Sequence, residues 1–341
     1  MSFDWKWYLK DLNQDKPVNV FSIFSCGGGS SMGYKRAGFN VIGNCEIDPK
    51  INEVYLANNH PKYNFNMDAR DFLKLCRAGK IPEELKNLDI LDGSPPCTSF
   101  SMAGKRDKTW GKQKKFAEGQ KLQRLDDLFF TYLDIVEVLR PKVCIAENVS
   151  GLVIGNAKGY VREIIERFQE LGYSVQIFKL NAAFMNVPQA RERIFFIANN
   201  QGYQPLKLSF NEKPIYFGEV RSKKPGTPTT PNTAMLIKEA KPGECFVGDV
   251  NMRLYKKNSC FTNQILWDNR VPNTVPAGGS HYRKCDATNL TVNDLRNIAT
   301  FPQDYNFLSD LPRKAQFITG MSVPPNMMAN IAKQVWLQWL R

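Results

Sequence analysis

Histidine is almost missing from this chain, with His60 and His281 the two present among 341 residues. A hydrolytic triad needs a histidine base, and most catalytic zinc centres draw on several imidazoles, so both are poorly supplied here. Eight cysteines are present, yet none forms a C-x-x-C pair and none follows metal-ligand spacing. Long apolar runs are lacking too. No stretch approaches the roughly 18 uninterrupted apolar residues of a membrane helix, and Met1–Lys10 has no apolar signal-peptide core. These absences predict reduced thiols, a cytoplasmic location, no metal and no membrane. Acids are scarce beside bases, 33 against 46, for a formal net charge of +13 and a pI near 9.3. That excess points to a polyanionic partner. Nucleic acid fits better than a membrane surface, because no amphipathic anchor is visible. The length suits two domains, or one large domain with an insertion.

What is present is an α/β rhythm. The β-rich run Val18–Phe24 breaks at Ser25-Cys26-Gly27-Gly28-Gly29-Ser30-Ser31, where a helix to Ala37 is expected to begin. A second strand, Val41–Glu46, ends in the acids Glu46 and Asp48. Strand, glycine turn, helix and acid-tipped strand together make a nucleotide-type unit: glycines let the backbone approach a ligand, and an acid can hold ribose hydroxyls. The glycines do not follow G-x-G-x-x-G, which argues for a nucleoside cofactor over a dinucleotide. Asp68 reads equally well as a helix N-cap and as a carboxylate touching a cofactor base.

The apolar run Leu88–Leu91 ends at Asp92-Gly93, and Ser94-Pro95-Pro96 holds the backbone extended before Cys97. A lone cysteine is usually a packing residue. Set on a stiff loop at the carboxyl end of a strand, it is also where an α/β enzyme would place a nucleophile. Lys105–Lys121 is strongly basic, a solvated stretch or a lid for a phosphate backbone. Leu125, Leu128, Phe129, Tyr132, Val136 and Leu139 recur at helical spacing and mark core. A strand at Val143–Ala146, parallel to the one before Cys97, finishes at Glu147-Asn148-Val149 and would bring Glu147 to the same crevice. Val175–Leu180 and Arg193–Ala198 read as an antiparallel pair. Alternation puts Gln189, Arg191 and Arg193 on one face, where they could converge on one polar ligand. From about Gln201 the rhythm is lost, Lys223–Pro231 is linker-like, and helical periodicity resumes towards the C-terminus.

In this order the pieces resemble the C5-cytosine DNA methyltransferase family. Phe24-Ser25-Cys26-Gly27-Gly28-Gly29, Glu46, Asp68, Pro95-Pro96-Cys97, Glu147-Asn148-Val149, Gln189-Ala190-Arg191-Glu192-Arg193 and Gly320-Met321-Ser322-Val323-Pro324-Pro325 carry the likeness. The resemblance implies an α/β fold, a doubly wound and mostly parallel sheet that binds S-adenosylmethionine. It also implies a catalytic domain over 1–202, a small loop-rich target-recognition domain over 203–285, and a return over 286–341 that completes the first. Cys97 would attack C6 of a flipped-out cytosine, Glu147 would serve N3, and Arg193 with Arg191 would hold the carbonyl or a phosphate. The cofactor residues implied are Phe24, Cys26, Gly27, Gly28, Gly29, Glu46, Ile47, Asp68, Pro95 and Ser322. Three departures stand out: Cys26 for the loop's usual glycine, Met321 for asparagine in the last motif, and Asn293-Asp294 for Arg-Glu. Double-stranded DNA is the partner implied, to a monomeric enzyme, with a cognate restriction endonuclease left open. Two alternatives share the core: a tRNA cytosine methyltransferase, echoed faintly by Cys260-Phe261-Thr262, and a catalytically silent nucleic-acid-binding module.

Overall fold

The apolar runs of the N-terminal half become strands in the computed structural model, which describes residues 3–96, 127–153 and 158–341. Cys97, the basic stretch Lys105–Lys121 and Leu125 lie outside the described residues. Seven strands, β1 (Asn19–Ile23), β2 (Asn40–Cys45), β3 (Tyr63–Phe65), β4 (Ile90–Gly93), β5 (Val143–Val149), β6 (Ser174–Asn181) and β7 (Glu192–Asn199), form one sheet in the order β3-β2-β1-β4-β5-β7-β6. The β1–β2, β2–β3, β1–β4 and β4–β5 pairs are parallel, and β5–β7 is antiparallel. The sheet is therefore doubly wound and mostly parallel, as expected. It reverses direction between β1 and β4, where α/β sheets open a ligand crevice beyond their strand ends.

Among the described residues of this part the α-helices are α1 (Gly29–Arg36), α2 (Pro49–Asn59), α3 (Ala69–Arg77), α4 (Asp127–Leu139) and α5 (Lys158–Glu170). Helix α1 starts later than Ser25 because the loop before it is not helical. Phe24, Cys26 and Gly28 all take left-handed φ, at 56°, 47° and 85°. Helix α2 starts where local chemistry dictates, with Pro49 in its first turn and Asp48 accepting from the Lys50 and Ile51 N–H groups. Strand β5 runs past Ala146 to Val149 because β7 keeps pairing with it, Val149 facing Arg193. Phe21, Ile23 and Leu91 from the strands bury one cluster with Phe72, Phe129, Tyr132, Ile164 and Phe168 from α3, α4 and α5. Each such side chain contributes roughly 1.5–3 kcal/mol on burial.

The chain divides into two compact units. One comprises Leu12–Leu180, Glu192–Ser209 and Met328–Arg341 and contains this sheet. Within it Trp339 stacks on Tyr203 and donates to the Gln204 carbonyl at 2.8 Å. The other comprises Met1–Asp11, Asn181–Arg191 and Phe210–Met327. It holds α6 (Phe217–Val220), α7 (Pro231–Glu239), α8 (Val247–Tyr255), α9 (Val292–Ile298) and α10 (Pro312–Met321), with β8 (Gln264–Leu266) parallel to β9 (His281–Arg283). Leu236, Ile237, Val247, Val250, Ile265 and Tyr282 give it a core of its own.

By compactness, 286–327 stays with this second unit, and the return to the sheet begins at Met328. The cause is tertiary. Buried Arg283 lies 3.5 Å from buried Asp294, whose carboxylate also accepts the Ser222 N–H, so α9 is fastened to the segment before it. The N-terminus joins the same unit through Trp7, whose indole N–H donates to the Thr300 carbonyl. Helix α11 (Pro325–Val335) follows, and a wider helical turn, Trp336–Leu340, comes after it.

Candidate active site

Strand register sets the site. Cys45, Ile23, Gly93 and Ala146 lie side by side across β2, β1, β4 and β5. One residue further along, Glu46, Phe24, Ser94 and Glu147 open the carboxyl edge, and the Pro95-Pro96 loop leaves from it. Period-two pleating and parallel pairing bring these four positions together although they span 124 positions of sequence.

On β5 the Glu147 carboxylate meets Arg193 of β7, Nε to Oε1 at 2.9 Å, with side chains 10% and 13% exposed. Burial pulls the Arg193 pKa below the ordinary arginine value, against the opposing effect of Glu147. The guanidinium stays charged and holds the carboxylate in one orientation. The next residue, Asn148, donates from Nδ2 to the Pro95 carbonyl at 3.2 Å, a buried bond that ties the loop before Cys97 to β5. The Ser94 N–H adds a 3.3 Å bond to the Ile23 carbonyl of β1.

Around the glycine loop, Glu46 accepts the Cys26 N–H at 2.8 Å and the Asp48 N–H at 2.9 Å. Burial raises its pKa, partly offset by those two N–H donors. Gly28 is required by both conformation and space: at φ 85°, an added Cβ would lie 2.1 Å from Asn59 Nδ2. The Asn59 carboxamide is buried with neither polar atom hydrogen-bonded. No side chain caps α1. Asp68 is the N-cap of α3, accepting from the Arg70 N–H at 2.9 Å, and it also pairs with the Arg70 guanidinium. The Ile47 carbonyl receives Asn66 Nδ2 at 3.4 Å.

Gln189, Arg191 and Arg193 each have a polar partner within their own compact unit. Gln189 Oε1 accepts the Val275 N–H. Arg191, 2% exposed, donates from Nη2 to the Gly320 and Ser322 carbonyls at 2.9 and 3.0 Å. Arg193 meets Glu147 of the sheet edge. Alternation sorted these residues to one face, but β7 begins at Glu192, so Gln189 and Arg191 precede the strand. Ser322 is buried with an unbonded hydroxyl, and Met321 beside it is 51% exposed.

A sequence model of the C-5 cytosine-specific DNA methylase family matches residues 18–241 and 221–336. The chain belongs to that family. It is 29% identical over 342 residues to the Type II methyltransferase M1.HphI of Haemophilus parahaemolyticus, covering 93% of this chain and 86% of that one. It is 27% identical over 349 residues to M.NgoPII of Neisseria gonorrhoeae, covering 94% and 95%. Its fold matches the crystal structure of Spodoptera frugiperda DNMT2 with a TM-score of 0.66 at 16% identity, over 94% of this chain and 99% of that one. This methylase is a DNA cytosine-5 methyltransferase, and DNA is its substrate.

A family methyl donor fits the carboxyl edge of the sheet. The uncapped N-terminus of α1 offers N–H groups and the positive end of a dipole to a carboxylate. Buried Glu46 suits hydroxyl donors, and the orphaned Asn59 amide stands beside the loop. The methylase's departure at Cys26 now has a measure: a non-glycine residue at φ 47° costs roughly 1–2 kcal/mol. Among the described residues no group of acids, histidines and cysteines could hold a metal, and no helix is long and apolar enough to cross a membrane.

The motifs named Glu147 and the loop before Cys97. They gave no role to Asn148, whose side chain links the two, nor to Asp92, a carboxylate 1% exposed inside the sheet. The available signal for the latter was an acid directly after the apolar pair Ile90-Leu91 within a strand.

Proposed function

We propose that this methylase transfers a methyl group from S-adenosylmethionine to C5 of a flipped-out cytosine in a specific duplex sequence, through a covalent Cys97–C6 adduct. The observation that carries the reading is the Glu147–Arg193 pair at the end of β5, tied through Asn148 to the loop that leads into Cys97.

C5 of cytosine is a weak nucleophile, so the ring must first gain electrons. The Cys97 thiolate adds at C6, and the electron density arrives at N3 and C5. Glu147 meets N3 with a proton or hydrogen bond, its carboxyl oriented by Arg193. S-adenosylmethionine supplies the electrophilic methyl group that C5 accepts. Water then takes the C5 proton, the C6–S bond breaks, and the thiolate leaves. No base inside a duplex exposes these atoms, so the cytosine must leave the stack. The Lys105–Lys121 stretch is assigned to closing over the phosphate backbone.

Phe24, Cys26, Gly27, Gly28, Gly29, Glu46, Ile47, Asp68, Pro95 and Ser322 are assigned to the cofactor. Glu46 takes the ribose hydroxyls, Asp68 the adenine amino group, and the glycine loop the amino-acid end. Arg191 is reassigned as a positioning residue for the Gly320–Ser322 backbone, given its bonds there. By role, 1–202 and 286–341 are assigned to catalysis and 203–285 to target recognition, as a monomer in the cytoplasm. A cognate restriction endonuclease stays an open companion, while the family and the Type II methyltransferase relatives favour DNA over tRNA as substrate.

The test is Cys97→Ser with duplex DNA and labelled S-adenosylmethionine. Methylation should vanish while cofactor binding survives. Methylation by that variant at a rate near wild type would overturn the mechanism.

A further inference from the structure

Asp92 is a buried acid that the mechanism does not use. It sits on β4, five positions before Cys97, in register with Ser22 of β1. Its side chain is 1% exposed. Oδ2 accepts the Ser22 hydroxyl at 2.7 Å, and Oδ1 accepts the Tyr34 hydroxyl of α1 at 3.2 Å. One carboxyl thus joins three elements: the strand feeding the cofactor loop, the helix that follows that loop, and the strand feeding the nucleophile loop. A buried carboxylate without such donors would be far too costly to keep, and the alternative, an apolar residue, would fill the site with no penalty.

We propose that Asp92 is a positioning residue for methyl transfer, its carboxylate clasping Ser22 and Tyr34 so that the cofactor loop and the loop leading to Cys97 keep one spacing. This rests on the assignment of those loops made above. The carboxylate form accepts both hydroxyls at once. Protonated, the group must donate one hydrogen, and one of the two hydroxyls has to turn away.

The ionisation falls where it matters. Burial pushes the Asp92 pKa up to about 7, with the Ser22 and Tyr34 hydroxyls opposing and the Glu147 charge adding. Tyr55 of α2 and Tyr132 of α4 also face it electrostatically. Both keep their protons across the working range, because burial raises their own pKa values. The clasp should therefore loosen as pH falls through neutrality.

The experiment follows methylation of duplex DNA by the full chain against pH, for wild type, Asp92→Asn and Tyr34→Phe, with kcat and the KM for S-adenosylmethionine separated. Wild type should show an acid limb with its midpoint near neutrality. Asp92→Asn should lose that limb and stay at the low-pH rate, at least tenfold below the wild-type maximum. Tyr34→Phe removes a donor that favours the carboxylate, and should move the midpoint upward by about one pH unit. Infrared titration supplies a readout independent of activity: a protonated-carboxyl band that appears near neutrality and is absent from Asp92→Asn. Should Asp92→Asn not fold, Tyr34→Phe and the infrared band still decide. A wild-type limb that Tyr34→Phe leaves in place, or an Asp92→Asn rate within twofold of wild type, would overturn the proposal. A wild type that methylates nothing would instead overturn the functional assignment, leaving the infrared result to stand or fall alone.

Discussion

Truncating Glu147 should destabilise as well as inactivate this methylase, and the two effects can be separated. At 2.9 Å the Glu147–Arg193 attraction is about 6 kcal/mol gross for an effective dielectric near 20. Most of that is offset by taking both charges out of water. Removing one partner leaves the other buried and unpaired, which costs about 3–5 kcal/mol. Glu147→Ala is therefore expected to lose that much. Glu147→Gln keeps an acceptor for Arg193 at the loss of the charge, and should cost about 2 kcal/mol. The double variant Glu147→Ala/Arg193→Ala should lose less than the sum of the two single variants, by about 2 kcal/mol or more, because the second truncation removes the orphan left by the first. Urea unfolding of the purified chain gives these values, with unchanged m-values confirming a common unfolded state. Methylation should vanish in Glu147→Gln, the variant that stays folded. Loss of under about 1 kcal/mol in Glu147→Ala, or simple additivity in the double variant, would refute the idea that the pair holds the carboxyl in place.

Cys26→Gly should be stabilising by about 1 kcal/mol, since glycine tolerates the left-handed φ of 47° that cysteine is forced to adopt; urea melts measure it, and a loss beyond about 1 kcal/mol would count against it. Asn148→Ala should destabilise by about 1–2 kcal/mol and lower kcat more than cofactor affinity, because the bond from Asn148 to Pro95 anchors the loop before Cys97; equal effects on both would show that the anchor serves the whole sheet. Asp92, with its folded pKa raised to about 7, favours the folded state fully below its unfolded value near 4 and loses that contribution as pH rises through 7. Asp92→Asn should thus gain stability relative to wild type as pH rises from 5 to 8.5, by about 2.5–3 kcal/mol, as read from urea melts across that range. A gap that stays constant with pH would refute it.

A costly Asp92 charge in the state proposed to work fits the general exchange of stability for activity at functional sites. The same exchange recurs in the loop before α1, where Phe24 and Cys26 both adopt the left-handed region within three residues. Strained backbone of this kind persists only where surrounding contacts over-determine it. Here β1, β2 and the Glu46 carboxylate do so, through the Cys26 N–H bond and the Ser25 N–H bond to the Cys45 carbonyl.

The amino-acid sequence by itself determined the strand and helix order, the doubly wound sheet, the carboxyl-edge placement of Glu46 and Glu147, and the family. These follow from short-range causes: apolar periodicity, glycine and proline at fixed turns, and caps such as Asp48 and Asp68 that act within three residues. Tertiary structure alone decided which partner each polar group took. Arg191 and Arg193, two residues apart, went to the Gly320–Ser322 backbone and to Glu147. It likewise settled that 286–327 stays with the second unit through Asp294, and that Asp92 joins Ser22 and Tyr34. The physical reason is common to all three. Alternation and spacing fix the face a side chain occupies, whereas its hydrogen-bond partner is whichever group, 58 or 70 or 129 residues away, the folded backbone brings within 3 Å or so.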